Sequence, residues 1–461
     1  MSLRRPVWVV PVFVVGLALH NLVMALLWQA GLRGTGLTVV AAWKEVLLAL
    51  ALAGAVVGAR RLPIGRNVAD WLALAYGALV ILYAILPQSA LGGAATHKGV
   101  LYGLRHDLVP VAAYFLGRAL VPTTRDLRRI AATLLATAAG VAAFGLVDVY
   151  AIPLSWWRRH SGAAGWFEHQ LGFVYQGLSG LPENFVYNPG NGHPLRRVVS
   201  TFLSPLATSY LLVAALVVVA AWAVRRRPRG SAAVLWSALA VLVFAGLLWT
   251  HSRSSYIALA LALVVYAARV RTARWAVVAS AVATLALGAL FVHEYTRIGP
   301  STTFTPKELA FQEAHAKTAG PAVTGAEDAS TRSHWRSLRS GISTVVHHPQ
   351  GFGLGNAGST AARTHVSILA GESTYTELGV ETGLAGALLF VAWVLVLLRD
   401  TVRCWPWVGA TLAAMLALGL QTDIIGVPWV AYVVWILAGV SVTNLQQLRA
   451  ADGGEDAAAV P

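Results

Sequence analysis

Apolar stretches long enough to cross a bilayer recur along this chain, and every second connection between them is rich in arginine. That rhythm limits the fold more than any single motif. The runs near residues 7–28, 37–59, 71–87, 101–120, 130–152, 201–224, 232–250, 254–270, 275–293, 384–399, 406–424 and 427–443 are each about as long as a membrane-crossing helix. Arg60, Arg61 and Arg66, then Arg125, Arg128 and Arg129, then Arg225–Arg227 and Arg229, then Arg271 and Arg274, then Arg399 and Arg403 fall on one side. The positive-inside rule makes that side cytoplasmic, together with both termini. With 57% hydrophobic and 12% charged residues among 461, and a mean hydropathy of +0.64, a soluble domain is excluded. The expected fold is an all-α polytopic membrane protein with about twelve transmembrane helices.

The net charge of +15 belongs to cytoplasmic turns, so the expected partner surface is the lipid bilayer and not nucleic acid. Cys404 is the single cysteine, which excludes an intrachain disulfide and a cysteine zinc cluster. His347 and His348 are adjacent with no carboxylate at ligand spacing, so neither a metal nor a cofactor is expected. Leu3–Arg5 followed by the run from Val7 to Trp28 has the form of a signal anchor. Residues 1–293 are expected to hold nine helices with an outward loop at about 153–200. A large, partly helical outward loop at 294–383 then precedes three last helices at 384–449. The segment 450–461 has the composition of a disordered cytoplasmic tail.

The most informative stretch runs from Pro349 to Gly386, where a polar segment enters a helix. Gly351, Gly353 and Gly355, followed by Asn356, form a turn whose amides can approach an anion. Read as helix, Glu372 and Tyr375 share a face just before the bilayer. Arg253, in Thr250-His-Ser-Arg-Ser-Ser-Tyr256, falls at the outward end of two spans, where it either snorkels to headgroups or joins hydroxyls in a phosphate cradle. Arg197 meets the outer end of the sixth span. Lys44 and Glu45 in the second span, and Arg105, His106 and Asp107 near the outer end of the fourth, either pair between helices or let Arg105 and Lys44 line a headgroup cavity. Arg332, Trp335 and Arg336 share a helical face, while His365 and Arg363 lie between it and Glu372. Trp156, Trp157, Trp166 and Phe167 suit either an interfacial belt or a platform for sugars or headgroups.

Several guanidiniums without an acidic metal-binding pair suit a pyrophosphate leaving group, whose oxygens they bind in a fork. A carboxylate opposite them can accept the proton of an attacking hydroxyl. Glu372 is the candidate base, with His365 as the fallback.

Arg197-x-x-Ser-Thr-Phe-x-x-Pro205, Thr250-x-Ser-Arg253, Arg332-x-x-Trp335, Pro349-x-Gly-Phe-Gly-Leu-Gly-Asn356 and the segment from Glu372 to Gly386 stand in an order that resembles the O-antigen ligase and O-antigen polymerase superfamily. The resemblance implies a membrane glycosyltransferase of the GT-C type. Such enzymes move a glycan from a polyprenyl diphosphate carrier to a glycan, lipid or protein acceptor outside the cytoplasm, with inversion and without a metal. It further implies a multi-pass protein of the bacterial inner membrane, and it matches Arg253 and Arg332 to the arginines assigned to the diphosphate. One departure stands out: where such ligases carry His-Asn-x-Tyr, this chain has Glu372-Ser-Thr-Tyr375, with Glu381, Gly383 and Gly386 still in register. Glutamate can take over the proton-accepting role. The rival readings are a transporter or flippase of a lipid-linked precursor and a non-catalytic envelope scaffold. A transporter would place its polar residues at the midplane on broken helices, often with inverted repeats.

Overall fold

A computed structural model describes residues 6–59, 63–65, 67–173, 181, 185–187, 189, 193–303, 305–306, 310, 326–367 and 369–458, the side chains of 326–333 and 449–458 excepted. The chain is an all-α polytopic membrane protein. Among the described residues, nine helices are long and apolar enough to cross a membrane, and two shorter apolar ones, Arg253–Ala267 and Pro406–Leu418, accompany them. A further long helix, His97–Ala119, carries Lys98, Arg105, His106, Asp107 and Arg118. Every apolar run expected to span therefore falls on a helix.

The first half contains α1 (Val9–Gln29), α2 (Gly34–Ala41), α3 (Trp43–Ala59), α4 (Val68–Ile85), α5 (His97–Ala119), α6 (Thr124–Ala151) and the short α7 (Leu154–Arg159). Then come α8 (Pro205–Arg226), α9 (Ser231–Trp249), α10 (Arg253–Ala267) and α11 (Arg274–Ile298). The amphipathic α12 (Ala326–His347) and the short α13 (Gly358–Thr364) precede α14 (Thr374–Cys404), α15 (Pro406–Leu418) and α16 (Trp435–Ala458). Helix α16 runs into the segment expected to be a disordered tail.

Local chemistry sets several helix starts. Thr123 and Asp126 form a reciprocal capping box on α6, and Ser204 caps α8 with Pro205 in its first turn. Thr96 caps α5 by accepting the Gly99 amide. Helices α5 and α16 cross through glycines: a Cβ on Gly117 would lie 2.1 Å from the Ile436 carbonyl, and one on Gly439 2.2 Å from that of Tyr114. In a bilayer, where lipid tails are as apolar as leucine, such close backbone contact is a main source of helix association.

Buried ion pairs tie the bundle together. Arg118 grips Asp70 with two bonds of 2.8 and 3.0 Å, and Tyr114 adds a third at 2.6 Å. Arg196 Nη2 donates to both Asp148 carboxylate oxygens at 3.1 Å, and Trp157 Nε1 donates to Asp148 at 2.6 Å. Removing one partner of such a pair costs about 3–5 kcal/mol, because the other charge stays buried.

The aromatic residues of the 153–200 segment have another role than either expected one. Trp157, Trp166 and Phe167 are buried in a core with Met24, Ala25 and Leu37. They pack the segment onto α1 and α2, and are neither a belt nor a sugar platform. Arg105 and Lys44 follow the pairing alternative: each lies 3.4 Å from a different oxygen of Glu45.

Candidate active site

The ends of α8, α10, α14 and α15 meet at one end of the bundle, and α5 reaches the same junction through His106, which meets Asp423. Tyr210 on α8 shares a hydrogen bond of 2.7 Å with Thr422, in the connection between α15 and α16. Ser209 reaches Ser255 on α10 at 2.7 Å, and Thr374 Oγ1 donates to the Thr422 carbonyl at 3.0 Å. The candidate residues stand around this junction.

Glu372 lies outside the helix on which the sequence placed it. Helix α14 begins at Thr374, with Ser373 at its N-cap, so Glu372 and Tyr375 do not share a helical face. Glu372 has φ +71°, a left-handed conformation that costs a non-glycine residue about 1–3 kcal/mol unless the surroundings impose it. They do. Ser337 on α12 donates to the Gly371 carbonyl at 3.0 Å, Ser373 Oγ donates to the Gly419 carbonyl at 3.2 Å, and the Thr374 amide donates to the same carbonyl at 3.0 Å. The Glu377 carboxyl, one turn into α14, accepts the Glu372 amide. Held in this way, Glu372 Oε2 stands 2.7 Å from His334 Nδ1 on α12, and both side chains keep a substantial exposed fraction, 48% and 39%. The carboxylate in contact raises the His334 pKa above its ordinary value, against the opposing effect of partial burial.

Arg253 opens α10 and is half-buried, with Ser252 at the N-cap. Arg197 lies beside it, donating through Nε to the Thr250 carbonyl at 2.9 Å. Between the two runs His251, with φ +50°, its ring stacked on Tyr295 at 4.5 Å and tilted against Tyr187 at 4.2 Å. Burial, then the charges of Arg197 and Arg253, push its pKa down to about 3. The turn before α10 is thus a cationic corner with a neutral imidazole inside it. Arg332 lies in α12, two residues before His334; its side chain is outside the described residues.

The glycine turn meets an anion, as its spacing suggests, but the anion belongs to the protein. Gly351, Gly353 and Gly355 all have positive φ, and the Gly355 amide donates to Glu381 Oε1 at 2.9 Å. Thr360 donates to the same oxygen at 2.8 Å. Asn356 is buried and structural: its Oδ1 accepts the Ala94 amide at 2.8 Å, and its Nδ2 donates to the Phe352 and Gly353 carbonyls. Tyr375 donates to the Leu416 carbonyl at 2.7 Å. His365 is exposed at the C-cap of α13. Arg105 is half exposed beside Glu45.

Sequence reasoning missed two sets of residues here. His334 stood unremarked within the Arg332–Trp335 motif. Asp423, in the α15–α16 connection, meets His106 at 2.9 Å, and Glu377 lies deeper still. The Gly426 amide also donates to Asp423, at 2.8 Å. The available signal was charge inside a span, which His106 and Asp107 display.

Residues 238–391 match the family model described as O-Antigen ligase. The match takes in Arg253, Arg332, the glycine turn and the segment from Glu372 to Gly386, while Arg105 and Arg197 lie before it. A search of curated proteins finds no match. The matched domain supports a ligase- or polymerase-like role in envelope polysaccharide assembly. Over this stretch the chain is similar to the O-antigen ligase family, which supports the resemblance its motifs bear to the O-antigen ligase and polymerase superfamily.

Proposed function

We propose that this protein is a glycosyltransferase that moves a glycan from a polyprenyl diphosphate carrier to an acceptor hydroxyl, at the outer face of a bacterial inner membrane. The observation that carries the reading is the Glu372–His334 contact, which brings a carboxylate and an imidazole together where the resemblance implies a histidine. The pair is the base. When imidazole and carboxylate hold no extra proton, an acceptor hydroxyl gives up its proton as its oxygen attacks the anomeric carbon. That proton comes to rest on the pair, whose imidazole binds it more strongly because of Glu372. The bond from the anomeric carbon to the diphosphate breaks on the opposite side, so the configuration inverts.

Arg253 and Arg332 are assigned to the leaving diphosphate, whose growing charge their guanidiniums neutralise in a bidentate way. Arg197 braces the Arg253 turn through the Thr250 carbonyl. The clustering of these groups at one end of the bundle favours transfer over a midplane transport site. Purified protein in proteoliposomes, given a radiolabelled lipid-linked glycan and an acceptor, tests the reading. Labelled acceptor is the expected product; label that only changes leaflet indicates a transporter, and an unchanged donor indicates a scaffold.

A further inference from the structure

Deeper than the Glu372–His334 pair lies a second set of charged side chains that the transfer does not use. His106 and Asp107 come from α5, Glu381 from α14, and Asp423 from the α15–α16 connection. His106 Nδ1 is 2.7 Å from Asp107 Oδ1, and its Nε2 is 2.9 Å from Asp423 Oδ2. Asp107 is fully buried, and its Oδ2 accepts no hydrogen bond among the described residues. Glu381 is 3% exposed. One ligand atom from each of His106, Asp107 and Glu381 lies within 4.8 Å of the others.

The charges do not balance as they stand. With Glu377, which is also buried, four carboxylates face a single imidazole, and the ion pairs they make among the described residues are to that imidazole, not to arginine or lysine. An unpaired buried carboxylate costs several kcal/mol, so such groups are neutralised or coordinate a cation. The unsatisfied Asp107 oxygen lies in the set that offers the ligands.

We propose that His106, Asp107 and Glu381 bind a divalent metal cation. Asp423 sets the tautomer: by accepting the Nε2–H it leaves the Nδ1 lone pair facing Asp107 and Glu381, the carboxylate–histidine–metal arrangement. One imidazole and two carboxylates in a buried site suit Zn²⁺ or Mn²⁺ better than Mg²⁺, which favours oxygen ligands and retained waters. The cation joins α5 to α14 and, through the Gly355 amide on Glu381, to the glycine turn. Its role is to hold the scaffold around Glu372, separate from the arginines assigned to the diphosphate.

The test uses the full-length protein in lipid nanodiscs, stripped with a chelator and then given Zn²⁺, Mn²⁺ or Mg²⁺ singly. Metal content is measured by mass spectrometry and thermal stability by intrinsic fluorescence. The expected result is about one equivalent of Zn²⁺ or Mn²⁺ per chain and a higher Tm, as for any ligand that binds only the folded state. Asp107→Asn, which keeps shape, and Glu381→Gln, which still accepts the Gly355 amide, each abolish both effects. Glu372→Gln retains both, so loss of transfer and loss of metal are read separately. Stripped protein that binds none of the three metals and melts unchanged overturns the proposal and leaves shared protons as the neutralising agent. Metal binding that persists in both Asp107→Asn and Glu381→Gln overturns it equally, because the site is then elsewhere.

Discussion

Glu372 Oε2 and His334 Nδ1 stand 2.7 Å apart, joining the strained turn before α14 to the amphipathic helix α12. The two residues are far apart in sequence. What brings them together is the Ser337 bond to the Gly371 carbonyl and the packing of Gly341 on Thr376, where an added Cβ would come within 2.7 Å. On the proposed reading, Glu372 stands where the resemblance implies a histidine, and His334 on the neighbouring helix supplies an imidazole beside it.

The pair predicts a pH profile. Glu372 raises the His334 pKa above 6.5, and the pair accepts a proton only with the imidazole neutral. Transfer therefore climbs as pH rises through that raised value. Glu372→Gln lowers the His334 pKa, so the limb moves to lower pH while the plateau falls. The stability linkage has the opposite sense: the contribution of the ion pair is complete below the unfolded value and is lost as pH rises through the folded one. Rates of the wild type and Glu372→Gln across pH 5–9 check this; superimposable limbs would remove His334 from the reaction.

Arg253 and Arg332 are predicted to need their forks. Lysine keeps the charge and loses bidentate geometry, so Arg253→Lys and Arg332→Lys should each lower kcat/KM by roughly tenfold or more. Inserted, folded lysine variants with normal transfer would contradict the diphosphate assignment.

Gly355 has φ +83°, and a Cβ there would lie 2.6 Å from the Gly99 backbone carbon. Gly355→Ala should destabilise the protein by more than about 1 kcal/mol, seen as a lower Tm and a smaller folded yield from detergent. Gly140, with no atom within 4 Å of an added Cβ, supplies the contrast. Gly140→Ala should leave Tm unchanged or slightly raised.

The orientation is tested by labelling. With Cys404 replaced, a cysteine at Ala326 should react with an impermeant maleimide in intact cells, because α12 is assigned to the outer face. Reaction only after lysis would reverse the topology and move the site to the cytoplasm.

The helices were legible because apolar length is a one-dimensional signal. Even the charged α5 was found, since its apolar half is long enough. The glycine turn was legible in kind: Gly351, Gly353 and Gly355 were expected to form a turn whose amides approach an anion, but the anion's identity, Glu381, depends on how α14 packs. Glu372 was misplaced onto the helix because its three-residue spacing to Tyr375 fits a helical face, and nothing local announces φ +71°. His334 and Asp423 were missed for a related reason. Each gains meaning only from a partner on another element, and no spacing rule within one segment encodes that. The buried tryptophans misled in the same way, as belt and core residues share a composition.

The most direct measurement is single-turnover glycan transfer by purified wild-type and Glu372→Gln protein at equal donor occupancy. Loss of acid–base catalysis predicts a fall of about 10²–10⁴ in the Glu372→Gln rate, with donor affinity retained. Glu372→His should recover part of the rate, and His365→Ala should stay near wild type. A Glu372→Gln protein that transfers at the wild-type rate, or a dead His365→Ala beside it, would contradict the account.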